Sequence, residues 1–190
     1  FVAANNIKAN KVIIENVGFP VREPMLAAGE VDAITGFSFS AFLNLKSKGV
    51  KEEDINVMLM SDYGLKIYGN TVIVNPEFAT ENPQLVKGFV KAIIRGWLDT
   101  IADPNSAIDH LMKRNKIARR NVELERLEMA IRDNVITAEV KERGFGDVEG
   151  GRLAASINQV GLTYDFSNQP TAASVFTSKF LPAMSQRKIN

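Results

Sequence analysis

The amino-acid sequence predicts an α/β protein whose strands lie in its first 75 residues. Two observations lead to this fold class. Short runs rich in β-branched residues alternate with helical segments up to residue 75, and only helical periodicity follows from residue 82 onward. The 190-residue chain is 45% hydrophobic and 24% charged, which is typical of a protein that folds around an apolar core.

Strands and helices alternate in the first part of the chain. A helix is predicted over Arg22–Ala28, because Pro24 suits a first helical turn and Gly29 ends it. A second helix is predicted over Phe39–Lys48, where Gly49 follows as the cap. The order strand, helix, strand, helix favours a mainly parallel sheet. Four strands are predicted, at residues 11–17, 31–35, 55–60 and 70–75.

The remainder of the chain has the pattern of amphipathic helices. In the longest of them an apolar side chain recurs every four residues, so one face of this helix is apolar; its members are Leu85, Phe89, Ile93, Trp97 and Ile101. Five helices are predicted, from Asn82-Pro83 to just before Asp103, then over Ser106–Asn115, Val122–Val140, Asp147–Val160 and Val175–Phe180.

Charge and composition exclude several classes of function. The chain has 23 Lys and Arg against 22 Asp and Glu, and a net charge of +1 argues against a dedicated nucleic-acid binder. The absence of cysteine excludes a thiolate zinc site and a cysteine nucleophile. His110 is the single histidine, so no histidine pair exists for a metal or a proton relay. We therefore predict no metal site built from these residue types.

Two further motifs have a structural interpretation. Gly144-Phe145-Gly146 follows a predicted helix and has no adjacent Lys-Ser/Thr pair, so it is interpreted as a helix end and turn rather than a phosphate loop. Apolar runs such as residues 72–74 are far shorter than the roughly 20 residues that span a bilayer. No signal peptide is predicted at the beginning of the sequence, and an integral membrane protein is not expected.

The first candidate binding segment lies where a predicted strand ends and a helix begins. Open parallel sheets bind ligands at this position. Gly36 would let the backbone approach a ligand, Phe37 and Phe39 would provide a stacking wall, and Ser38 and Ser40 offer hydroxyl groups. Backbone N–H groups at the helix start could bind an anion. The alternative is a simple strand-to-helix turn with phenylalanine in the core, and the residues alone leave both open.

The second candidate segment follows the third predicted strand. Asp62, Tyr63, Gly64, Tyr68 and Asn70 bring a carboxylate, two phenols and an amide together within nine residues. A ligand-contacting hinge is one interpretation of this polar and aromatic cluster. A loop with helix caps is the alternative.

These segments carry a resemblance that extends over essentially the whole chain. The sequence resembles the substrate-binding proteins of ABC transporters in the thiamine-precursor, nitrate, sulfonate and taurine group, of the no-message-in-thiamine type. The matching stretches are residues 22–26 (REPML), 29–37 (GEVDAITGF), 62–65 (DYGL), 68–70 (YGN), 81–83 (ENP), 175–177 (VFT) and 180–182 (FLP).

The resemblance implies a type II periplasmic-binding-protein fold, in which two α/β lobes close over a small molecule. Residues 1–64 would form most of the second lobe, 65–70 a hinge, and 71–190 the mostly helical returning part of the first lobe. The chain would then correspond to the C-terminal portion of such a protein, since the family's first half has no counterpart here. Both candidate segments would face the cleft between the lobes.

The implied function is that of a periplasmic solute receptor, peripheral to the membrane, which delivers a small planar or anionic molecule to ABC permease subunits. The resemblance implies a receptor and not an enzyme, so we expect no catalytic residue and no cofactor. A ligand-sensing domain of a regulator is one alternative, and a thiamine-pyrimidine synthase is a second, which the missing cysteines disfavour. Because the first lobe would lack its main strands, the apolar faces at Leu85, Phe89 and Trp97 are expected to be exposed, favouring a homodimer or completion by another polypeptide.

Overall fold

The computed structural model describes residues 1–164 and 166–189, and over this part the regular structure is helical. A π-helical turn, Ile131–Val135, follows the sixth α-helix. No helix in the described ranges is long and apolar enough to cross a bilayer. The α-helices are α1 Phe19–Ala27, α2 Ser38–Ser47, α3 Pro76–Glu81, α4 Pro83–Ala102, α5 Pro104–Arg114, α6 Arg120–Ala130, α7 Ala138–Arg143, α8 Gly150–Gly161 and α9 Ala172–Val175.

The helix predictions are confirmed where caps and periodicity agree. Helix α2 lies within one residue of its predicted bounds at each end, and α4 occupies its predicted span. Helix α5 begins at Pro104 because the Asp103 side chain accepts a hydrogen bond from the Ser106 N–H, which places the start earlier than predicted. Helix α3 was not predicted, although the Asn75 side chain caps it by accepting from two backbone N–H groups.

Two helix predictions are wrong. The predicted helix Val122–Val140 is interrupted, because the ladder widens into the π-helical turn and Thr137 then caps a new helix, α7. The predicted helix Val175–Phe180 is not formed, and α9 ends at Val175 instead. Phe180 is 7% exposed in the core of its unit, so burial of this ring rather than helical propensity explains the apolar residue there.

The α/β class is not confirmed, because none of the four predicted strands forms among the described residues. The backbone around Val12 and Ile55 is extended, as β-branched residues favour. A strand also needs a neighbouring strand to pair its N–H and C=O groups. Ile13 is 88% exposed, Ile14 is 83% exposed and Ile73 is 90% exposed, so these segments lie on the surface rather than in a sheet.

The chain divides into two compact units, and the first is built from Phe1–Leu65 and Ile117–Ala130. In this unit α6 packs against α2, although Lys46 on α2 and its partner Glu125 on α6 are 79 residues apart in sequence. Leu43 and Leu45 on α2 are buried. Lys46 donates to Glu125 on α6 at 2.5 Å and to Glu52 at 3.2 Å, and these hydrogen bonds raise the pKa of Lys46.

The second unit comprises Lys66–Lys116 and Ile131–Asn190. Its core cluster is formed by Ala79, Val86 and Phe180. Trp97, which was expected to be exposed, instead stacks on Phe145, with the two ring centroids 6.5 Å apart. That expectation is therefore wrong. The assignment of residues 1–64, 65–70 and 71–190 to lobes and a hinge stays a prediction.

The glycine motif of the second unit is a helix end, as predicted. Gly144 follows α7 with a φ of 74° and donates its N–H to the Val140 carbonyl. The backbone then runs beside Arg187, whose carbonyl accepts from the Phe145 N–H at 2.8 Å. Arg187 also donates to Asp147 at 3.1 Å. The motif therefore fastens the C-terminal region to α7.

Candidate functional site

The first candidate segment begins α2 and exposes an aromatic pair. Phe37 is the N-cap residue, and its carbonyl accepts from the N–H groups of Ser40 and Ala41. The rings of Phe37 and Phe39 stack with their centroids 5.6 Å apart and an interplanar angle of 18°. Phe37 is 60% exposed, so one ring rests on its neighbour and still presents surface to solvent. Such a pair offers a flat apolar surface to a planar molecule.

A guanidinium group from α6 lies against the same segment. Arg126 donates to the Ser40 hydroxyl at 3.2 Å and to the Phe39 carbonyl at 3.4 Å. Its Nε atom donates to Glu123 at 3.1 Å, which holds the side chain across the helix start. No local pattern indicates this contact, because Arg126 and Ser40 are 86 residues apart and the helical spacing of Arg126 and Glu123 indicates only a solvated pair.

Gly36 is not required by the local backbone, and its expected role in letting the backbone approach a ligand stays a prediction. Its φ is not in the left-handed region, and a Cβ atom there would lie 3.8 Å from the Cβ of Ala41, which is an ordinary contact. Backbone geometry therefore does not require glycine at this position. The backbone just before Gly36 is fixed by a hydrogen bond, in which Arg22 donates to the Thr35 carbonyl at 2.9 Å.

The Asp62, Tyr63 and Gly64 segment forms a tight turn in the first unit. Gly64 has a φ of 87°, and a Cβ atom there would lie 3.3 Å from Ala4. The Tyr63 carbonyl accepts from the Asn5 side chain at 2.8 Å, and the Tyr63 ring lies 6.2 Å from that of Phe1. The positive φ explains why a glycine stands at position 64. Tyr63 contacts Phe1 and Asn5 in the first residues of the chain.

Tyr68 belongs to the second unit and takes part in a polar network there. Its hydroxyl donates to Glu139 at 2.5 Å and accepts from the Glu149 N–H at 2.9 Å. Arg152 donates to the other Glu139 oxygen at 2.7 Å, and its guanidinium lies 4.1 Å from the centre of the Tyr68 ring. Both the hydroxyl and one ring face of Tyr68 are therefore engaged within the protein.

The network also shifts the acidity of its members. Burial, followed by the hydrogen bond to Glu139, raises the pKa of Tyr68 to about 12. Burial alone would raise the pKa of Glu139, but hydrogen bonds from Tyr68 and Arg152 outweigh it and leave that pKa lowered. The pKa of Glu149 is lowered because its carboxylate caps α8 by accepting from the N–H groups of Gly151 and Arg152.

The network ties the start of the second unit to two helices. Arg152 donates to the carbonyls of Lys66 and Ile67, and the Ser156 hydroxyl donates to the Lys66 carbonyl at 2.5 Å. Glu139 and Arg152 are not predicted from the sequence, because nothing in their spacing connects them to residues 66–68. Their function in the structure is to hold this segment.

The predicted site residues thus fall into three groups. Gly36, Phe37, Ser38 and Phe39 lie at the start of α2; Asp62, Tyr63 and Gly64 lie in a turn of the same unit; Tyr68 and the exposed Asn70 lie in the second unit. Their part in ligand binding stays a prediction. No group of three or more His, Asp or Glu side chains in the described part of the chain is placed to hold a metal ion.

An apolar depression of about 560 Å³ lies elsewhere in the second unit, between residues 72–74 and the helices α3 and α4. Leu85 is 61% exposed and Phe89 is 57% exposed at this surface, as expected from the helical pattern. Its lining contains no charged residue, which distinguishes it from the α2 segment.

Comparison with known proteins gives two matches. Residues 1–107 match the family described as NMT1/THI5 like. Over 106 residues the chain is 28% identical to a protein named riboflavin-binding protein RibY from Chloroflexus aurantiacus, which is 56% of this chain and 29% of that relative. The match thus spans less than half of the relative's length. No solved structure matches the chain.

Proposed function

Because the chain belongs to the NMT1/THI5-like family, a substrate-binding family with a periplasmic-binding-protein fold, we propose that it is a solute receptor of an ABC uptake transporter. The family and the riboflavin-binding relative point to a binding protein rather than an enzyme. The location that fits this role is the periplasm, where the receptor would meet the permease subunits at the membrane surface.

The proposed ligand is a small planar heteroaromatic molecule of the flavin type. The observation that carries this proposal is the exposed ring of Phe37, stacked on Phe39 at the start of α2. An aromatic ligand that covers this ring replaces water on both surfaces and gains a stacking contact. The name of the RibY relative, which refers to riboflavin, supports the same ligand class.

The polar edge of a flavin has carbonyl and imide groups that require hydrogen-bond partners. The hydroxyls of Ser38 and Ser40 and the guanidinium of Arg126 lie in or against the same segment and provide them. Arg126 also places positive charge beside the start of α2, where the helix dipole favours a partial negative charge. Carbonyl oxygens of a neutral ring suit this environment.

The residues of the second candidate segment differ in whether they would contact the ligand directly; they are Asp62, Tyr63, Gly64, Tyr68 and Asn70. Asp62, Tyr63 and Asn70 are exposed and remain proposed ligand contacts. The turn geometry is sufficient to explain why residue 64 is a glycine. The Tyr68 hydroxyl is already hydrogen-bonded to Glu139, so we propose that Tyr68 holds the segment in place rather than stacking on the ligand.

A thermal-shift panel with riboflavin, a thiamine pyrimidine, taurine and nitrate tests the proposal. Riboflavin is expected to raise the melting temperature in a concentration-dependent way, equivalent to about 2.7 kcal/mol at a hundred times Kd. Phe37→Ala should weaken this shift as if Kd had increased about 10-fold, because the stacking surface is lost.

Phe89→Ala is the matched control, since Phe89 is exposed to a similar extent, 57% against 60% for Phe37, but lies on α4 in the other unit. It should leave the riboflavin shift unchanged. A shift with taurine or nitrate and none with riboflavin would replace the planar ligand by an anionic one. Equal effects of the two alanine variants would remove Phe37 from the site.

A further inference from the structure

A strongly basic segment joins α5 to α6. Residues 110–122 contain five Lys or Arg and no Asp or Glu, so this segment carries a charge of +5. The whole chain has a net charge of only +1, which leaves −4 for all other residues together. This short surface segment therefore carries more net positive charge than the whole chain does.

All five of these cations are exposed, and four of them surround a turn. Lys113 and Arg114 end α5, and Lys116 and Arg119 lie in the connection before α6. The dipole of α5 favours cations in its last turn, which accounts for the first two. It does not account for Lys116 and Arg119, which follow the end of the helix.

Ile117 lies in the middle of this basic turn. It is 93% exposed, which makes it the most exposed of the large apolar side chains in residues 1–164 and 166–189. Turns normally use Gly, Pro, Asn, Asp or Ser, whose backbone preferences suit them, whereas a β-branched apolar residue does not. An isoleucine at such a position leaves nearly its whole apolar surface in water.

We infer that this basic turn, residues 113–119, docks on an anionic lipid surface. Cations near such a surface are attracted by its negative potential, and an apolar side chain between them can enter the boundary between headgroups and acyl chains. Lys116 and Ile117 are adjacent in the sequence, so the turn combines a cation with an apolar residue, and an anionic lipid surface favours both. Docking here is a separate property from solute binding at α2.

Lipid fits this turn better than nucleic acid does. Proteins that bind single strands stack bases on aromatic side chains, and residues 110–122 contain no Phe, Tyr or Trp. A phosphate backbone also offers no apolar surface for Ile117. The binding should be reversible and sensitive to salt, since the Debye length is about 8 Å at physiological ionic strength.

Vesicle flotation tests the inference with the whole chain. Vesicles of phosphatidylcholine mixed with phosphatidylserine should carry the protein at low salt, and vesicles of pure phosphatidylcholine should not. The double variant K113Q/K116Q should bind about 30-fold more weakly, since each cation near the surface contributes about 5-fold. Ile117→Ser should weaken binding to the anionic vesicles without changing its salt dependence.

The matched control is K87Q/K91Q, which removes the same charge from two exposed lysines on α4. This variant should retain most of the vesicle binding of the unchanged protein. Equal losses in the two double variants would overturn the inference, because they would indicate a response to net charge alone. Equal flotation with neutral vesicles, no flotation with either kind, or salt-sensitive binding to an oligonucleotide without flotation would overturn it as well.

Discussion

The polar network around Glu139 gives the most detailed prediction. Glu139 accepts hydrogen bonds from Tyr68, from Arg152 and from the Glu149 N–H, and 17% of its side chain is exposed. Glu139→Gln keeps the shape of the side chain but replaces one carboxylate oxygen by an amide NH₂. The new amide NH₂ group then faces another donor, either the guanidinium of Arg152 or the hydroxyl of Tyr68, and that hydrogen bond is lost.

The expected loss of stability follows from these contacts. Hydrogen bonds to a charged group contribute roughly 1.5–3 kcal/mol in partly buried positions. Glutamine retains one carbonyl acceptor, so part of the network survives. We therefore expect Glu139→Gln to lower the free energy of unfolding of the second unit by about 2 kcal/mol at neutral pH.

The effect should depend on pH in a defined direction. The pKa of Glu139 is lowered in the folded protein, so its stabilising contribution is present above the pKa of an unfolded glutamate, about 4.3, and is lost in more acidic solution. The difference between the original protein and Glu139→Gln should accordingly shrink below that pH. Tyr68, with its pKa raised to about 12, stabilises the fold below pH 10, and this contribution is lost between pH 10 and 12.

Urea denaturation followed by tryptophan fluorescence measures these changes. The chain has a single tryptophan, Trp97, and it lies in the same unit as Glu139. Glu142→Gln is the matched control, because Glu142 is exposed on the same helix, α7. Equal midpoints for the two variants, or a difference that persists unchanged in acid, would refute the network's stabilising role.

Two further predictions concern a glycine and an apolar surface. Gly144→Ala should lower stability by more than about 1 kcal/mol in the same urea assay, because φ is 74° and the new Cβ would lie 2.9 Å from the Arg187 carbonyl oxygen; an unchanged midpoint would contradict this. Leu85→Asp combined with Phe89→Asp should abolish association at micromolar concentration in light scattering, since these exposed side chains are the proposed homodimer contact. A monomer before substitution would remove the proposal.

The helices that could be predicted are those defined by local signals. The four-residue spacing of Leu85, Phe89 and Ile93 lies within α4, and a proline stands at the start of both α4 and α5. Both helices form where these local signals lie. The strands could not be obtained in the same way. The β-branched residues of Lys11–Val17 favour an extended backbone. A strand also needs a second segment that pairs with its backbone N–H and C=O groups, and no such pairing occurs among the described residues.

The candidate site was predictable only in part for the same reason. The position of Phe37 at a helix start was visible in the sequence, as was the turn at Gly64. The partners were not visible, because Arg126 reaches Ser40 across 86 residues and Arg152 reaches Lys66 across 86. Contacts of this kind are set by the packing of helices and have no local pattern.

Titration of the intact chain with riboflavin, followed by quenching of flavin fluorescence, tests the proposed function most directly. We expect saturable quenching whose affinity weakens about 10-fold in Phe37→Ala and is unchanged in Phe89→Ala. Quenching that does not saturate, or that is the same in the original protein and in Phe37→Ala, would contradict a planar-ligand site at the start of α2.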